Sequence, residues 1–270
     1  MSEATLIDVL PAHRIDESRL LSYLTGRIDG AEQGMRVQQF QGGQSNPTYL
    51  LSLGEQRYVL RKKPPGKLLP SAHMVEREYQ VINALGSTDV PVPTARLLCE
   101  DPEVIGTAFY VMDYVEGRVH TQPLLGDVEQ SQRLPIYRSM IETMAQLHNV
   151  DWKAVGLESY GKAEGYIPRQ IKRWSGQFEA SRTGDMPAMD ALMAWLPEHM
   201  PKDDHTTIAH GDFRIGNLIL HPTEPRVVSI LDWELATLGH PLSDLAYCCL
   251  PYHLPSGVNG VKGMLGADLK

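Results

Sequence analysis

The chain has 270 residues, 42% of them hydrophobic, enough to bury a large core in one large or two smaller domains. Its formal net charge of -8 argues against a nucleic-acid footprint, which needs clustered basic residues. The three cysteines, Cys99, Cys248 and Cys249, include no C-x-x-C pair and two are adjacent, which points to small buried hydrophobes rather than a disulfide framework or a zinc site. Residues 1–16 carry charges and a proline without an apolar leader segment, and no run approaches membrane-spanning length. A soluble cytoplasmic protein is expected.

In chain order, Asp16 can cap a helix in which Leu20, Leu21, Leu24 and Ile28 recur at helical spacing. From Met35 the pattern turns to strand. Val37 to Phe40 and Thr48 to Leu53 flank a polar loop, Gln41 to Asn46, whose backbone N–H groups can face phosphate oxygens; Gly42-Gly43 is equally an ordinary hairpin turn. No Walker motif occurs, which disfavours a P-loop enzyme. Tyr58 to Lys62 reads as another strand, with Val59 and Arg61 on one face and Leu60 and Lys62 on the other. Lys62, Lys63 and Lys67 read as a solvated cluster around Pro64 and Pro65.

Ala72 to Leu85 reads as a helix with an apolar stripe of Val75, Ile82 and Leu85, and Glu78 falls inside that stripe. A carboxylate facing the sheet is costly unless paired, and Arg61 is the natural partner. The alternative places Glu78 at the stripe's edge, in water. Ala95 to Cys99 and Ala108 to Val115 read as strands, and past Gly117 the composition becomes helical. Ile136, Met140, Met144 and Leu147 mark a long core helix with Pro135 near its start, and His148 at its end is expected to make a structural hydrogen bond. Two more helices are expected around Arg169 to Ser181 and Met189 to His199. Arg169, Lys172 and Arg173 share one helical face, a solvated face by default or else a basic lid for an anionic substrate.

Ile208 to Asn217 is a polar loop, followed by two short apolar strands, Leu218 to His221 and Val227 to Asp232, about a turn at Pro222 to Pro225. With Glu224 and Pro225 at the tip, Asn217 falls opposite Asp232, about 5 Å away. An Asn carbonyl oxygen beside an Asp carboxylate suits Mg²⁺. Asp212, on the loop that feeds this hairpin, can face a substrate hydroxyl. Singly these residues have bland readings, Asp212 as a turn cap and Asn217 as a strand end. Together, on one hairpin, they point to a catalytic site.

The same spacings occur in protein kinases, where H-R-D is followed by four residues and an Asn, with a metal-binding Asp after a later strand. Here His210, Asp212 and Asn217 keep the first spacing and Asp232 stands in the later position, while Gly211 replaces the Arg and Asp232-Trp233-Glu234 replaces D-F-G. In both departures the chain resembles the aminoglycoside phosphotransferase family over nearly its whole length, and within it the branch found fused to or beside acyl-CoA dehydrogenases.

That resemblance implies an α+β, two-lobed protein-kinase-like fold. Residues 1–116 would form a nucleotide-binding lobe with a small antiparallel sheet, and residues 117–270 a mainly helical lobe carrying the catalytic loop and metal hairpin. ATP would sit between them. Asp212 would be catalytic, and Asn217 and Asp232 would hold Mg²⁺. Ser45 and Asn46 would lie over the phosphates. Arg61 would contact them in place of the usual strand lysine, paired with Glu78, with Lys62 as the fallback. Val59 and Met112 would line the adenine pocket, and Asp113 and Val115 would offer backbone groups to its edge. Asp244 would brace the catalytic loop, and Glu234 would add an acid near the metal. Family members generally continue past the position of Lys270 through further helices. The expected activity is ATP- and Mg-dependent transfer to a hydroxyl of a small molecule, a hydroxyacyl-CoA among the candidates, with no nucleic-acid or membrane partner. An aminoglycoside-type antibiotic kinase and an inactive nucleotide-binding pseudokinase stay open as alternatives, and oligomeric state is not legible.

Overall fold

The computed structural model describes residues 5–41, 46–64, 73–255 and 262–267. A short strand, β1 (Leu6–Ile7), precedes α1 (Glu17–Leu24), whose first turn is capped by the Asp16 side chain accepting the Arg19 N–H at 2.9 Å. Then come β2 (Met35–Phe40), β3 (Thr48–Leu53), β4 (Gln56–Lys62), α2 (Val75–Leu85), β5 (Ala95–Cys99), the single turn α3 (Pro102–Ile105) and β6 (Phe109–Asp113). Among the described residues these six strands form one antiparallel sheet in the order β1-β2-β3-β4-β6-β5. β1 was not legible beforehand, because two residues carry no period.

Alternation along β4 divides the sheet's two faces. Tyr58 and Leu60 enter a core with Leu20 and Leu24 of α1, whereas Val59 joins Val75 and Ile82 of α2. Each such buried aliphatic side chain is worth about 1.5–3 kcal/mol. Lys62 corrects the sequence reading. It is 5% exposed rather than solvated, and burial lowers its pKa. The alternation that aims Arg61 at α2 turns Lys62 to the opposite face, so it is not a fallback for the nucleotide contact. Lys63 instead pairs with Glu76, and Lys67 lies outside the described residues.

The remainder is mainly helical. α4 (Gln130–His148) buries Ile136, Met140, Met144 and Leu147, as its periodicity requires. Pro135 lies in the second turn of this helix, not near its start. α5 (Tyr166–Ser181) and α6 (Pro187–Trp195) follow, then β7 (Thr207–Ala209), the hairpin β8 (Leu218–Leu220) and β9 (Val227–Ile230), β10 (Thr237–Gly239) and α7 (Pro241–Cys249). β7 pairs with β10, a three-residue strand too short to read from the sequence. The core on the α2 face of the sheet continues into Met140, Met144, Leu218 and Ile230, so one apolar interior underlies both halves. Cys99 is buried, Cys248 and Cys249 are half-buried, and all three are free thiols. Among the described residues no helix is long and apolar enough to cross a membrane.

The segment leaving β6 lies directly on the hairpin. Arg118 and Leu220 exchange both backbone hydrogen bonds at 2.8 Å, and a Cβ on Gly117 would sit 2.3 Å from the Leu220 carbonyl oxygen. Gly117→Ala should therefore lower the unfolding free energy in urea by about 1–3 kcal/mol. Gly126→Ala, whose added Cβ meets nothing within 4 Å, should stay within about 0.5 kcal/mol of the parent. Equal stabilities would show that the close approach at Gly117 is not a constraint.

Candidate active site

The loop after β7 is held from α7. Asp244, fully buried, accepts the His210 and Gly211 N–H groups at 2.8 Å each, and His148 Nε2 lies 2.9 Å from the same carboxylate. Gly211 has φ +84°, and a Cβ there would meet the Leu235 carbonyl oxygen at 2.7 Å, so this position admits no side chain. His210 is buried, its pKa lowered by desolvation. Its neutral ring accepts the Asp212 N–H on Nδ1 at 3.2 Å and donates from Nε2 to the Leu231 carbonyl at 2.9 Å. It thereby ties the loop to the far strand of the hairpin.

Asp212 emerges from this platform with its side chain 19% exposed. Its Oδ2 accepts Asn217 Nδ2 at 2.7 Å, and Arg214 Nε lies 3.1–3.2 Å from both carboxylate oxygens. Asn217 Nδ2 also donates to the Asp212 backbone carbonyl at 2.9 Å, which leaves the Asn217 side-chain Oδ1 as its ligating atom. The expected hairpin register is one residue out. β8 pairs Leu218 with Ile230, and the Leu231 N–H donates to the Asn217 carbonyl, so Leu231 rather than Asp232 stands opposite Asn217. The turn centres on Thr223 and Glu224, one residue earlier than expected, since His221 pairs with Arg226 and Leu220 with Val227, and the irregularity between Ile219 and Leu220 makes up only part of that offset. Asp232 follows in the left-handed region (φ 65°, ψ 60°), turning out of β9 into a helical turn at Trp233–Leu235. Asp tolerates that conformation at a cost of about 1–2 kcal/mol.

From the sheet side, Arg61 reaches the same carboxylate. Its Nη2 donates to Asp232 Oδ1 at 3.1 Å, and its Nε lies 3.3 Å from Glu78 Oε2, at ion-pair distance but without hydrogen-bond alignment. Burial opposes the Arg61 charge, yet Glu78, Tyr110 and Asp232 outweigh it and raise the pKa. Burial pushes the Glu78 carboxyl up, against the lowering by Arg61 and by hydrogen bonds from Tyr110 and Asn46. Glu78 thus faces the sheet, not water.

Val59 and Met112 are cross-strand partners on this face, 8% and 5% exposed, where an adenine-lining pair is expected. Asn46 lies under Glu78, donating Nδ2 to Oε1 at 2.6 Å; Ser45 is outside the described residues. Asp113 holds Arg96 through two 2.7 Å bonds and donates its backbone N–H to the Thr94 carbonyl, while Val115 lies half-buried beyond β6. On α5, Arg169 is half-buried and donates to the Lys162 carbonyl, while Lys172 and Arg173 are exposed, Arg173 lying over Trp174.

Asp212 lines a cavity of about 470 Å³ together with Arg214, Met140, Tyr247, Lys262 and Met264. Burial and a hydrogen bond to Asp212 raise the pKa of Tyr247. Lys262 donates to the Thr121 carbonyl at 3.0 Å. The sequence reading missed Arg214, Tyr247, Lys262 and Tyr110. Arg214 sits inside the quoted motif and was within reach; the other three are brought in by tertiary packing alone. Asn217 and Asp232 supply hard oxygen atoms that fit Mg²⁺, and the Asp232 side chain stays 35% exposed.

Residues 36–268 match the model of the Phosphotransferase enzyme family. Acyl-CoA dehydrogenase family member 10 of Mus musculus is 46% identical over 256 residues, covering 94% of this chain and 24% of that protein. Acyl-CoA dehydrogenase family member 11 of Homo sapiens is 44% identical over 261 residues, covering 95% and 34%. The chain therefore spans only 24% to 34% of the length of these two curated relatives. Among solved structures, a putative aminoglycoside phosphotransferase from Ralstonia eutropha jmp134 superposes with a TM-score of 0.83 at 45% identity, over 95% of this chain and 76% of that one. Aminoglycoside phosphotransferase APH(4)-Ia, in a ternary complex with ADP and hygromycin B, gives a TM-score of 0.60 at 16% identity, over 84% and 75%. The latter likeness is one of fold, the kinase-like fold of aminoglycoside phosphotransferases.

Removing the Asp244 carboxylate strands two loop N–H groups, one of them buried. Asp244→Ala should lower the unfolding free energy by about 2–5 kcal/mol, against less than about 1 kcal/mol for the part-exposed Asp212→Ala. Chemical denaturation compares the two, and similar small losses would remove the bracing role.

Proposed function

Because the chain belongs to the phosphotransferase enzyme family, we propose that it transfers the γ-phosphoryl group of ATP to a hydroxyl of a small molecule, with Mg²⁺ as cofactor. The nucleotide lies between a lobe of residues 1–116 and one of residues 117–270. The carrying observation is the chain of contacts Glu78–Arg61–Asp232, at 3.3 and 3.1 Å, which joins the sheet to the hairpin that holds Asn217 and Asp212. In this reading Val59 and Met112 contact the base, Asp113 and Val115 offer backbone groups to its edge, and Ser45, Asn46 and Arg61 serve the phosphate side.

Asp212 orients the accepting hydroxyl and receives its proton. Arg214 and Asn217 hold the carboxylate for this, at 3.1 and 2.7 Å from Oδ2. Asn217 and Asp232 hold Mg²⁺, which neutralises charge on the phosphates when bound. Arg61 stays between Glu78 and the phosphates as a fixed cation. With a loose transition state, positioning and charge neutralisation provide most of the acceleration.

The cavity beside Asp212 favours an anionic acceptor with an apolar portion. Met140, Ile215, Leu250 and Met264 contribute apolar wall, and Arg214 and Lys262 contribute positive charge. A hydroxyacyl-CoA suits that wall, whereas a polycationic antibiotic would meet like charge. Three free thiols suit a reducing, cytoplasmic setting.

An ADP-release screen across hydroxyacyl-CoAs, amino sugars and choline-like alcohols tests the acceptor. Turnover with the first class alone is expected, and Mg·ATP binding without release on any acceptor would favour a nucleotide-binding scaffold. Asp212→Asn should cut kcat by at least about 10²-fold while Mg·ATP affinity stays within about threefold. Retained turnover with lost affinity would remove the role.

A further inference from the structure

Glu78 is fully buried, and both its oxygens are engaged by residues from separate parts of the sheet. Oε1 accepts Asn46 Nδ2 at 2.6 Å, ahead of β3, and Oε2 accepts the Tyr110 hydroxyl at 2.9 Å, from β6. Arg61, by contrast, approaches Oε2 at 3.3 Å with Nε unaligned. The arginine alone therefore does not set the orientation of the carboxylate. Two aligned hydrogen bonds on opposite oxygens do.

We propose that Tyr110 and Asn46 are positioning residues for the nucleotide, acting through Glu78 to hold the Arg61 guanidinium at the phosphate side of the cleft. The inference rests on the phosphotransferase reading above and adds residues to its nucleotide half. Tyr110 is the cross-strand partner of Arg61, and its hydroxyl reaches the same carboxylate. A phenylalanine there would keep the volume and lose only that bond. Asn46 is tied on its other side, where His73 Nδ1 lies 3.2 Å from Oδ1. His73 has φ 59° and stands just ahead of α2, the helix that carries Glu78. Asn46 is only 2% exposed and its amide is turned to Glu78 and His73, so it acts on the phosphates through the carboxylate, a different role from the direct contact its position in the loop suggests. Arg61 released from Glu78 would be left to Asp232, where it would compete with a bound cation for the carboxylate.

The test uses the full chain with Tyr110→Phe, Asn46→Ala and Glu78→Gln, and each of the first two combined with Glu78→Gln. Calorimetry gives the Mg·ATP Kd, ADP release gives kcat and acceptor KM, and melting without nucleotide checks folding. Tyr110→Phe and Asn46→Ala should each raise the Mg·ATP Kd about five- to tenfold and leave acceptor KM within about twofold. In the Glu78→Gln background each should add less than about 1.5-fold, because residues acting through one partner are not additive. Unchanged Kd in folded single variants, full additivity in the Gln background, or an equal rise in acceptor KM overturns the inference. If Asn46→Ala fails to fold, the isosteric Tyr110→Phe carries the decision. If the parent chain binds Mg·ATP and the variants bind as tightly, only this inference falls. If the parent chain binds none, the phosphotransferase reading falls and takes the inference with it.

Discussion

One guanidinium joins the two halves of this site. Arg61 projects from the sheet between a fully buried carboxylate, Glu78, and a part-exposed one, Asp232. Its side chain is only 11% exposed, so its charge must be met by these groups. Such a buried pair adds little net stability over an apolar equivalent, but losing one partner leaves an uncompensated charge worth about 3–5 kcal/mol. The constraint is therefore one of arrangement. While Arg61 holds both acids, α2, β4 and the exit of β9 have one relative placement. On the proposed function, that placement brings phosphate and metal groups together.

The rest of the site is a rigid platform built to carry a carboxylate at its rim. Gly211 and Asp232 both adopt left-handed backbone, one before Asp212 and the other just past the hairpin. Glycine does so without steric penalty, but at Asp232 the strain persists only where surrounding contacts over-determine it. Asp244 supplies two of those contacts, His210 two more through its two ring nitrogens, and Trp233 packs 4.8 Å from the His210 ring. Asp212 then faces a cavity whose cations, Arg214 and Lys262, come from the loop itself and from the last described segment.

Much of this was readable along the chain. The stripe of α2 put Glu78 toward the sheet, the alternation of β4 separated Arg61 from Leu60, and both placements stand in the structure. The spacing from His210 to Asp232 carried the family and with it the fold. Short elements were not readable. β1 and β10 have two and three residues, below the length at which a period exists. The hairpin register also escaped, since the turn centres one residue earlier than Glu224 and Pro225 and the irregularity between Ile219 and Leu220 makes up only part of the difference. Lys62 was misread because proline neighbours and a lysine cluster resemble a solvated turn, whereas the strand's pleat carries it inward.

By itself, then, the sequence determined the longer elements, most of their buried faces and the motif that carries the family, because periodicity acts within about a dozen residues and the motif lies within the single stretch from His210 to Asp232. Only the tertiary structure decided that Tyr110 and Asn46 would clasp Glu78, that Tyr247 would reach Asp212, and that Asp232 would turn left-handed toward Arg61. Arg61 and Asp232 lie 171 residues apart. No local rule relates such positions; they meet because the core on the α2 face of the sheet is continuous with that beneath the hairpin, and packing sets their distance.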